Sequence, residues 1–359
     1  MQNDKIPPLR IGELEISPPI IQGGMGVRVS RAGLAAAVAR EGCAGVISTI
    51  GLGEFEGLSG SRLIRLNEQA LREEVRKARR QCDGGIIGVN VMVVLSHYES
   101  LVTTADDEGV DMIISGAGLP LDLPGLVSRK NTCIIPIVSS ARALSIICRK
   151  WKRYNRAPDA VVVEGSMAGG HLGFSYDELV SGKVPTLDEI LSEVIAFASS
   201  YDPPFPVIAA GGIFDGQDIA RVLRMGASGV QMATRFVCTD ECDVHLNFKL
   251  AYVNARKEDI TIIKSPVGMP GRVINNAFVE RIKRGETVPF NCTYQCLKYC
   301  DPTNAPYCIA KVLLRSAEGK FDEAFAFAGA NAHRCTEIVP VRQLIGRLAE
   351  ETAYHLKTQ

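Results

Sequence analysis

Residues 160–173 read Ala-Val-Val-Val-Glu-Gly-Ser-Met-Ala-Gly-Gly-His-Leu-Gly, and this stretch decides how the rest of the chain is interpreted. Its first four residues are apolar and three of them are β-branched, which is typical of a buried strand. Gly169 and Gly170 follow, and because they have no side chains, a flat ring or a phosphate ester can approach the backbone closely. We expect His171 to face that ligand. The alternative is a tight turn in which the histidine caps a helix or fills the core.

Similar apolar runs recur along the chain. The runs predicted as strands are residues 19–22, 44–49, 86–93, 112–115, 133–138, 160–164, 206–210 and 229–233. The amphipathic segments predicted as helices are residues 31–41, 65–81, 99–108, 141–151, 187–200, 217–225 and 242–255. Runs buried on both faces that alternate with helices indicate a parallel sheet. Eight such units predict an α/β fold, a TIM (β/α)₈ barrel, with a doubly wound open sheet as the alternative.

Composition narrows the class of protein. The chain has 359 residues, 46% of them hydrophobic, and its formal net charge is zero. Without a run of like charges we expect no nucleic-acid partner, and without a long apolar stretch or a signal-peptide pattern we expect no membrane partner and a cytoplasmic location. The eleven cysteines then predict free thiols or metal ligands in preference to disulfides.

Polar and glycine-rich residues follow the predicted strands, where a barrel has its ligand site. The first strand ends in Gln22-Gly23-Gly24-Met25-Gly26, which either brings backbone amides against a ligand or forms a plain turn. Asn90 lies in the third strand, where its amide can bond a heterocycle or a group inside the barrel.

The last two strands carry a phosphate-site pattern. Gly211 and Gly212 end one strand, and residues 231–234, Gln-Met-Ala-Thr, end the next. In barrels these two loops commonly bind phosphate through backbone N–H groups and a hydroxyl, which Thr234 can supply. The alternative is that the two glycines only ease helix packing. We expect Arg235 to form an ion pair on the rim of the barrel, with a contact to the phosphate as the alternative.

Taken together, the segments 22–26, 88–91, 164–173, 209–213 and 229–236 resemble the nitronate monooxygenase family, formerly the 2-nitropropane dioxygenases, over about residues 15–240. That superfamily also contains the flavin-dependent enoyl-acyl carrier protein reductase II and NADH:quinone reductases. The resemblance implies a barrel that binds FMN, with the phosphate in the last two loops and His171 as the active-site histidine.

The resemblance also implies which residues contact the cofactor. These are Gln22, Gly23, Gly24, Met25, Asn90, Glu164, Gly169, Gly170, Gly211, Gly212, Gln231, Met232, Ala233 and Thr234. The chain departs from the family at Ala233, where glycine is more usual, and at Glu164, where many nitronate-oxidising members resemble glutamine. An acidic residue at position 164 weakens the assignment to nitronates.

The pattern changes after residue 240. We predict an FMN-binding barrel over residues 1–240, a smaller C-terminal cap domain over 241–335 that shapes the substrate pocket, and a terminal helix over 336–359 that packs back on the barrel or forms a homodimer contact. Helices are expected at 275–284, 321–332 and 341–357.

A group of cysteines lies within the predicted cap. Cys292, Cys296, Cys300 and Cys308 are separated by three, three and seven residues. Four thiols at this spacing predict either an iron–sulfur cluster or a zinc site, or small unliganded side chains of which the first three share a helical face.

The functional expectation is an FMN-dependent oxidoreductase of the nitronate monooxygenase type, which oxidises alkyl nitronates with O₂. Histidine suits the site because its ordinary pKa lies near neutrality, so it can act as an acid, a base or a cationic partner. The alternatives are an NAD(P)H-dependent enoyl-thioester or quinone reductase, and a non-enzymatic module that senses redox state through flavin and cysteines.

Overall fold

Short strands alternate with helices through most of the chain in this computed structural model, which describes residues 6–53, 60–292 and 294–358. The strands are β1 (Leu9–Ile11), β2 (Leu14–Ile16), β3 (Ile20–Gln22), β4 (Gly45–Ser48), β5 (Ile87–Met92), β6 (Met112–Gly116), β7 (Cys133–Val138), β8 (Val161–Glu164), β9 (Gly170–His171), β10 (Val207–Ala210), β11 (Gly229–Met232), β12 (Ile260–Lys264) and β13 (Pro270–Ile274). The helices are α1 (Ala32–Arg40), α2 (Gly60–Gln81), α3 (Tyr98–Asp107), α4 (Leu123–Leu126), α5 (Ala141–Trp151), α6 (Tyr176–Ser181), α7 (Leu187–Ser199), α8 (Gly216–Arg224), α9 (Thr234–Val237), α10 (Leu246–Val253), α11 (Ala277–Lys283), α12 (Ile309–Ala317) and α13 (Val341–Lys357).

Eight parallel strands form the predicted barrel. Their order is β3-β11-β10-β8-β7-β6-β5-β4. The two ends of that order meet through a parallel bridge between Ile21 and Ala44. Gln22 N donates to Ala44 O at 2.9 Å and Ala44 N donates to Ile20 O at 3.1 Å, so the sheet closes on itself. The predicted TIM-barrel fold is confirmed, and each predicted strand overlaps an observed one.

The interior of the barrel is filled from its amino-terminal end. Leu9, Ile11 and Ile16 of the β1–β2 hairpin are fully buried and pack against inward-facing strand residues such as Ile114 and Ile208. Because this apolar plug closes one end, a ligand has access only to the carboxyl ends of the strands, where barrel enzymes have their sites.

The described residues of segment 241–335, called the cap below, lie over that open end and line the cavity there together with the ends of the strands. Its hairpin β12–β13 pairs with β9, which leaves the barrel just after β8, to give a three-stranded antiparallel sheet. His171 therefore belongs to the cap sheet by hydrogen bonding, opposite Gly271, although it follows a barrel strand in the sequence. The predicted domain boundaries at 240 and 335 stay predictions.

Two expectations about the cap are wrong. Residues 321–332 do not form a helix but contain 3₁₀ turns at Phe321–Glu323 and Ala332–Arg334. The reason is that backbone N–H groups in this segment bond other chain segments: Ala328 N donates to Arg272 O and Ala330 N to Met167 O, both at 3.0 Å. The described residues of the cysteine segment, 292 and 294–300, are also irregular, so the thiols of Cys292, Cys296 and Cys300 share no helical face. Helix α12 was not predicted.

The last predicted helix is present as α13, which packs on α8. Gly216 N donates to Glu351 Oε2 at 2.9 Å, and a Cβ atom at Gly216 would lie 2.3 Å from the Cβ of Glu351. None of the helices in the described ranges is both long enough and apolar enough to cross a lipid bilayer.

Candidate active site

A cavity of about 260 Å³ lies at the carboxyl ends of the barrel strands, beneath the cap. Its volume is close to the lower limit for small-molecule sites, roughly 300 Å³. The predicted site residues that line it are Gly23, Gly24, Met25, Asn90, Glu164, Gly169, Gly170, His171, Gly211, Gly212, Gln231, Met232, Ala233 and Thr234. The barrel therefore brings together residues spread over more than 200 positions.

Gln22 is the predicted site residue that lies apart from the cavity lining. Its side chain is fully buried; Oε1 accepts from Val46 N at 3.0 Å and Nε2 donates to Gly23 O. These bonds hold the turn that carries Gly23 and Gly24, so the contacts indicate a structural role and give no support to a direct contact with a cofactor.

Glycine is required in the walls of the cavity. Gly211 and Gly212 have φ angles of +88° and +89°, which side chains rarely adopt. A Cβ atom at Gly212 would lie 2.9 Å from the Cβ of Met167, and one at Gly24 only 2.4 Å from the Cβ of Asn90. The loops thus bring their backbones close to the cavity and leave no room there for larger residues.

A buried amide oxygen in the cavity lacks a hydrogen-bond partner. Gln231 is half-buried at the end of β11, and its Oε1 is sealed from solvent without a donor within the described residues. An unpaired buried acceptor is costly, by roughly 1–3 kcal/mol. A flat heterocycle that carries an N–H group, such as a flavin ring, fits this acceptor and the glycine-lined wall.

Hydrogen bonds from the cap hold Gly212 and Thr234 in place. Asn331 Nδ2 donates to Gly212 O at 2.6 Å and Gly329 N donates to Thr234 Oγ1 at 3.2 Å. Loop 329–331 therefore ties together the two barrel loops predicted to bind phosphate. Arg235 contacts Phe214, with its guanidinium 4.4 Å from the ring centroid, and donates to Phe214 O at 3.3 Å.

His171 is held in an apolar setting. Its Nε2 lies 2.8 Å from Ser265 Oγ, and its ring packs edge-on against Phe327 with a centroid distance of 4.9 Å. Burial lowers the pKa of His171 to about 4. The imidazole is therefore neutral at pH 7, and it can donate one hydrogen bond and accept one, but it carries no positive charge toward a ligand.

Glu164 ends β8 inside the same cavity. Burial raises the pKa of its carboxyl group to about 7. Within the described residues no lysine or arginine lines the cavity. A nearly neutral, largely apolar lining with one carboxyl group that is partly ionised at pH 7 favours an uncharged reacting group over an anion.

Arg272 holds the loop between β8 and β9 in place, although it does not line the cavity itself. Its Nη1 donates to the carbonyl oxygens of Ser166 and Ala168, both at 2.6 Å. Burial lowers the pKa of Arg272 to about 10, so it remains charged at pH 7. The loop that carries Gly169 and Gly170 is thereby pinned to the cap sheet.

The four clustered cysteines do not form a recognisable metal centre. Across residues 6–53, 60–292 and 294–358, no group of three or more His, Cys, Asp or Glu side chains is arranged to hold a metal ion. Cys296 lines the cavity, and burial raises the pKa of its thiol to about 12. The geometry gives no support to a site at Cys292, Cys296, Cys300 and Cys308, and the iron–sulfur and zinc hypotheses stay predictions.

Several residues at the site carry no sequence signal. Ser265, Phe327, Gly329 and Asn331 all come from the cap and contact other site residues that lie 94 to 156 positions earlier in the sequence. Only the short stretch Ala328-Gly329-Ala330-Asn331, with small residues and an amide, hinted at a tight loop. The serine and the phenylalanine could not have been found without the fold.

The fold and the site define a (β/α)₈ barrel enzyme with a small-molecule site at the mouth of the barrel. The chain belongs to the nitronate monooxygenase family, whose sequence model matches residues 8–351. It is accordingly a flavin-dependent oxidoreductase, which the unpaired Gln231 acceptor and the glycine-lined wall suit.

Individual relatives are distant. A probable nitronate monooxygenase from Staphylococcus aureus strain Newman is 28% identical over 309 residues, which cover 76% of this chain and 79% of the relative. The (3aS,4S,5R,7aS)-5-hydroxy-7a-methyl-1-oxo-octahydro-1H-indene-4-carboxyl-CoA dehydrogenase from Mycobacterium tuberculosis is also 28% identical, over 75% of this chain and 66% of the relative. The chain thus spans just under two thirds of that dehydrogenase.

Solved structures agree on the fold. FabK from Thermotoga maritima superposes with a TM-score of 0.73 at 28% identity, over 94% of both chains. A nitroalkane oxidase from Streptomyces ansochromogenes superposes with a TM-score of 0.72 at 22% identity, over 94% of this chain and 96% of the other. The second likeness, at this identity, concerns the fold alone.

Proposed function

We propose that this chain is an FMN-dependent oxidoreductase whose substrate is an uncharged unsaturated thioester, reduced at the expense of NADH or NADPH. The observation that carries the proposal is the charge of the cavity. His171 is neutral, Glu164 is the ionisable partner in the lining, and within the described residues no lysine or arginine faces the cavity. An anionic nitronate would meet a carboxyl group and no cation, whereas a thioester carbonyl needs only a hydrogen-bond donor.

The apolar lining of the cavity supports the proposal that the substrate carries an acyl chain. The cap side of the cavity is lined by the apolar residues Phe248, Val267, Met269, Leu297, Ile309, Leu313 and Phe327. Such a lining binds hydrocarbon through burial, at roughly 0.8 kcal/mol for each methylene group. The M. tuberculosis relative is named a carboxyl-CoA dehydrogenase, and that name is consistent with a thioester substrate for this chain.

We assign the cofactor residues from the same geometry. Gly23, Gly24 and Gln231 would hold the flavin ring, and Gly212 with Thr234 would hold the phosphate of FMN. When bound, FMN supplies hydride transfer. The chain itself positions the thioester: the neutral His171 offers a hydrogen bond, Glu164 can hold a proton near pH 7, and the apolar cap excludes water.

Nitronate oxidation is the second candidate, and the family match together with the neutral His171 favours it. A neutral imidazole can act as a base toward the acidic C–H group of a neutral nitroalkane, which would generate the nitronate within the site. The S. aureus relative is named a probable nitronate monooxygenase.

One experiment separates the candidates. The flavin band of the purified protein is followed under argon after addition of NADH, NADPH or ethyl nitronate, and then of crotonyl-CoA. We expect bleaching by a nicotinamide nucleotide and recovery of the band with crotonyl-CoA. Bleaching by the nitronate alone would replace the first candidate with the second.

A further inference from the structure

The cap hairpin places a buried serine against the histidine of the site. Ser265 Oγ lies 2.8 Å from His171 Nε2, across 94 positions of sequence, and Ser265 is only 6% exposed. The residue lies just beyond β12, and neither the motifs nor the family resemblance pointed to it. Contact between this buried hydroxyl and the half-buried imidazole limits which ring nitrogen can carry the single proton of the neutral ring.

The position of the serine is fixed by its own turn. Ser265 N donates to Met269 O and Gly268 N donates to Ser265 O, both at 3.1 Å, in a turn closed by Gly268 at φ +79°. The same hairpin holds the strand of the histidine, because Leu172 N donates to Pro270 O at 2.9 Å. Both members of the pair are therefore held by hydrogen bonds of the same small sheet.

Hydrogen-bond accounting gives the direction of the bond. If Nε2 carried the proton, Ser265 Oγ would accept it, and the hydroxyl hydrogen would have no partner within the described residues in a buried place. If the hydroxyl donates to Nε2, both groups are satisfied and the ring proton lies on Nδ1. His171 Nδ1 makes no bond to the described part of the chain and is free to meet a ligand.

We propose that Ser265 is a positioning residue that donates to Nε2 of His171, fixes the Nδ1–H tautomer and so makes His171 a hydrogen-bond donor to the substrate's carbonyl oxygen. The inference rests on the proposed function for the identity of that oxygen. When hydride from reduced FMN adds to the β-carbon of an unsaturated thioester, negative charge would develop on the carbonyl oxygen, and a fixed N–H donor would stabilise it until the α-carbon takes up a proton from solvent. No proton leaves the imidazole in this step.

The tautomer can be measured without turnover. The flavoprotein is labelled with ¹⁵N-histidine, and the ring signals are recorded at pH 7.5; the chain has only five histidines, and His171→Gln identifies the signal of interest. We expect a protonated Nδ1 and an unprotonated Nε2 in the wild type. Ser265→Ala should raise the fraction with protonated Nε2, and Ser265→Thr, which keeps the hydroxyl, should preserve the wild-type pattern.

Kinetics with crotonyl-CoA complete the test. Ser265→Ala should lower kcat roughly tenfold with KM within about twofold, in line with the loss of one hydrogen bond, and Ser265→Thr should recover most of the rate. Thr261→Ala is the matched control, because Thr261 lies on the same hairpin and bonds Lys283 at 3.2 Å, away from the cavity.

Two results would overturn the assignment: a wild-type ring protonated on Nε2, or an alanine variant that keeps both the tautomer and the rate. A third result would separate the two proposals. If neither the wild type nor any variant reduces a thioester, the proposed substrate is wrong. The role of Ser265 still stands if the wild-type ring carries its proton on Nδ1 and loses that preference in Ser265→Ala.

Discussion

The barrel mouth and the cap line the same cavity by different means. The barrel contributes backbone and small residues, with Gly24, Gly211 and Gly212 placed where a Cβ atom would collide with a neighbour. The cap contributes side chains, among them Ser265 and Phe327, that reach residues from distant parts of the sequence. This difference supports the proposal that the barrel mouth holds the cofactor and the cap orients the substrate, and on that proposal substitutions in the two regions should have different effects.

The largest effect should come from the barrel side. Gly211→Ala places a Cβ 2.8 Å from Gly165 O at a φ of +88°, so it combines backbone strain with overpacking. We expect the flavin to be lost and the free energy of unfolding to fall by roughly 2–5 kcal/mol. Flavin absorbance after gel filtration and urea denaturation measure the two effects.

The matched control for that variant is Gly285→Ala. Gly285 has nearly the same φ, +86°, but a Cβ there meets nothing within 4 Å. It should cost only the backbone strain, roughly 1–2 kcal/mol, and keep the flavin. If the two variants retained the same amount of flavin, the loop that carries Gly211 would not contact the cofactor.

Replacing the histidine should separate chemistry from cofactor binding. His171→Ala should keep the flavin, because the ring is held by Ser265 and Phe327 of the cap, while kcat/KM falls at least about tenfold. His355→Ala, in the terminal helix, is the control and should leave both unchanged. Release of flavin from the His171 variant would show that His171 contributes to cofactor binding, as proposed for the residues of the barrel mouth.

Glu164 should make stability depend on pH. Its folded pKa of about 7 lies above the ordinary value of 4.5, so the unfolded chain releases this proton first as pH rises. The wild type should lose stability between about pH 4.5 and 7 and then level off. Glu164→Gln should match the wild type at pH 4 and exceed it at pH 8 by ~2 kcal/mol in the free energy of unfolding.

Urea midpoints at the two pH values test this expectation, with the exposed Glu350→Gln as a control that should follow the wild type. A constant difference between the Glu164 variant and the wild type at both pH values would refute the buried-carboxyl explanation.

The smallest effect should lie in the cap and concern selectivity. Leu313→Ala enlarges the apolar side of the cavity, so KM for a C8 enoyl-CoA should rise about fivefold, while KM for crotonyl-CoA changes less than twofold. Leu314→Ala, next to it on α12 but outside the lining, is the control. Similar changes for both chain lengths would place the acyl chain elsewhere.

Some features could be predicted from local sequence because their physical causes are local. Val161, Val162 and Val163 form a strand through burial on both faces, and the glycines after the strands mark close backbone approach at Gly211 and Gly212. Eight such units determine a barrel, and a barrel determines that these loops meet at one end. The fold followed from that regularity, whereas the family and most of the residues on the barrel side of the cavity were implied by the resemblance of the glycine-rich motifs.

The tertiary structure alone decided how the histidine is held. His171 follows a barrel strand in the sequence, but it pairs with β13 and bonds Ser265, and nothing in either segment specifies the other. The same holds for residues 321–332, where bonds to Arg272 and Met167 replace the predicted helix. The periodicity of a sequence indicates which face of a helix or strand is buried. Which residue His171 meets 94 positions away depends on how the whole chain packs. That packing brings Ser265 to Nε2 and so determines which ring nitrogen carries the proton.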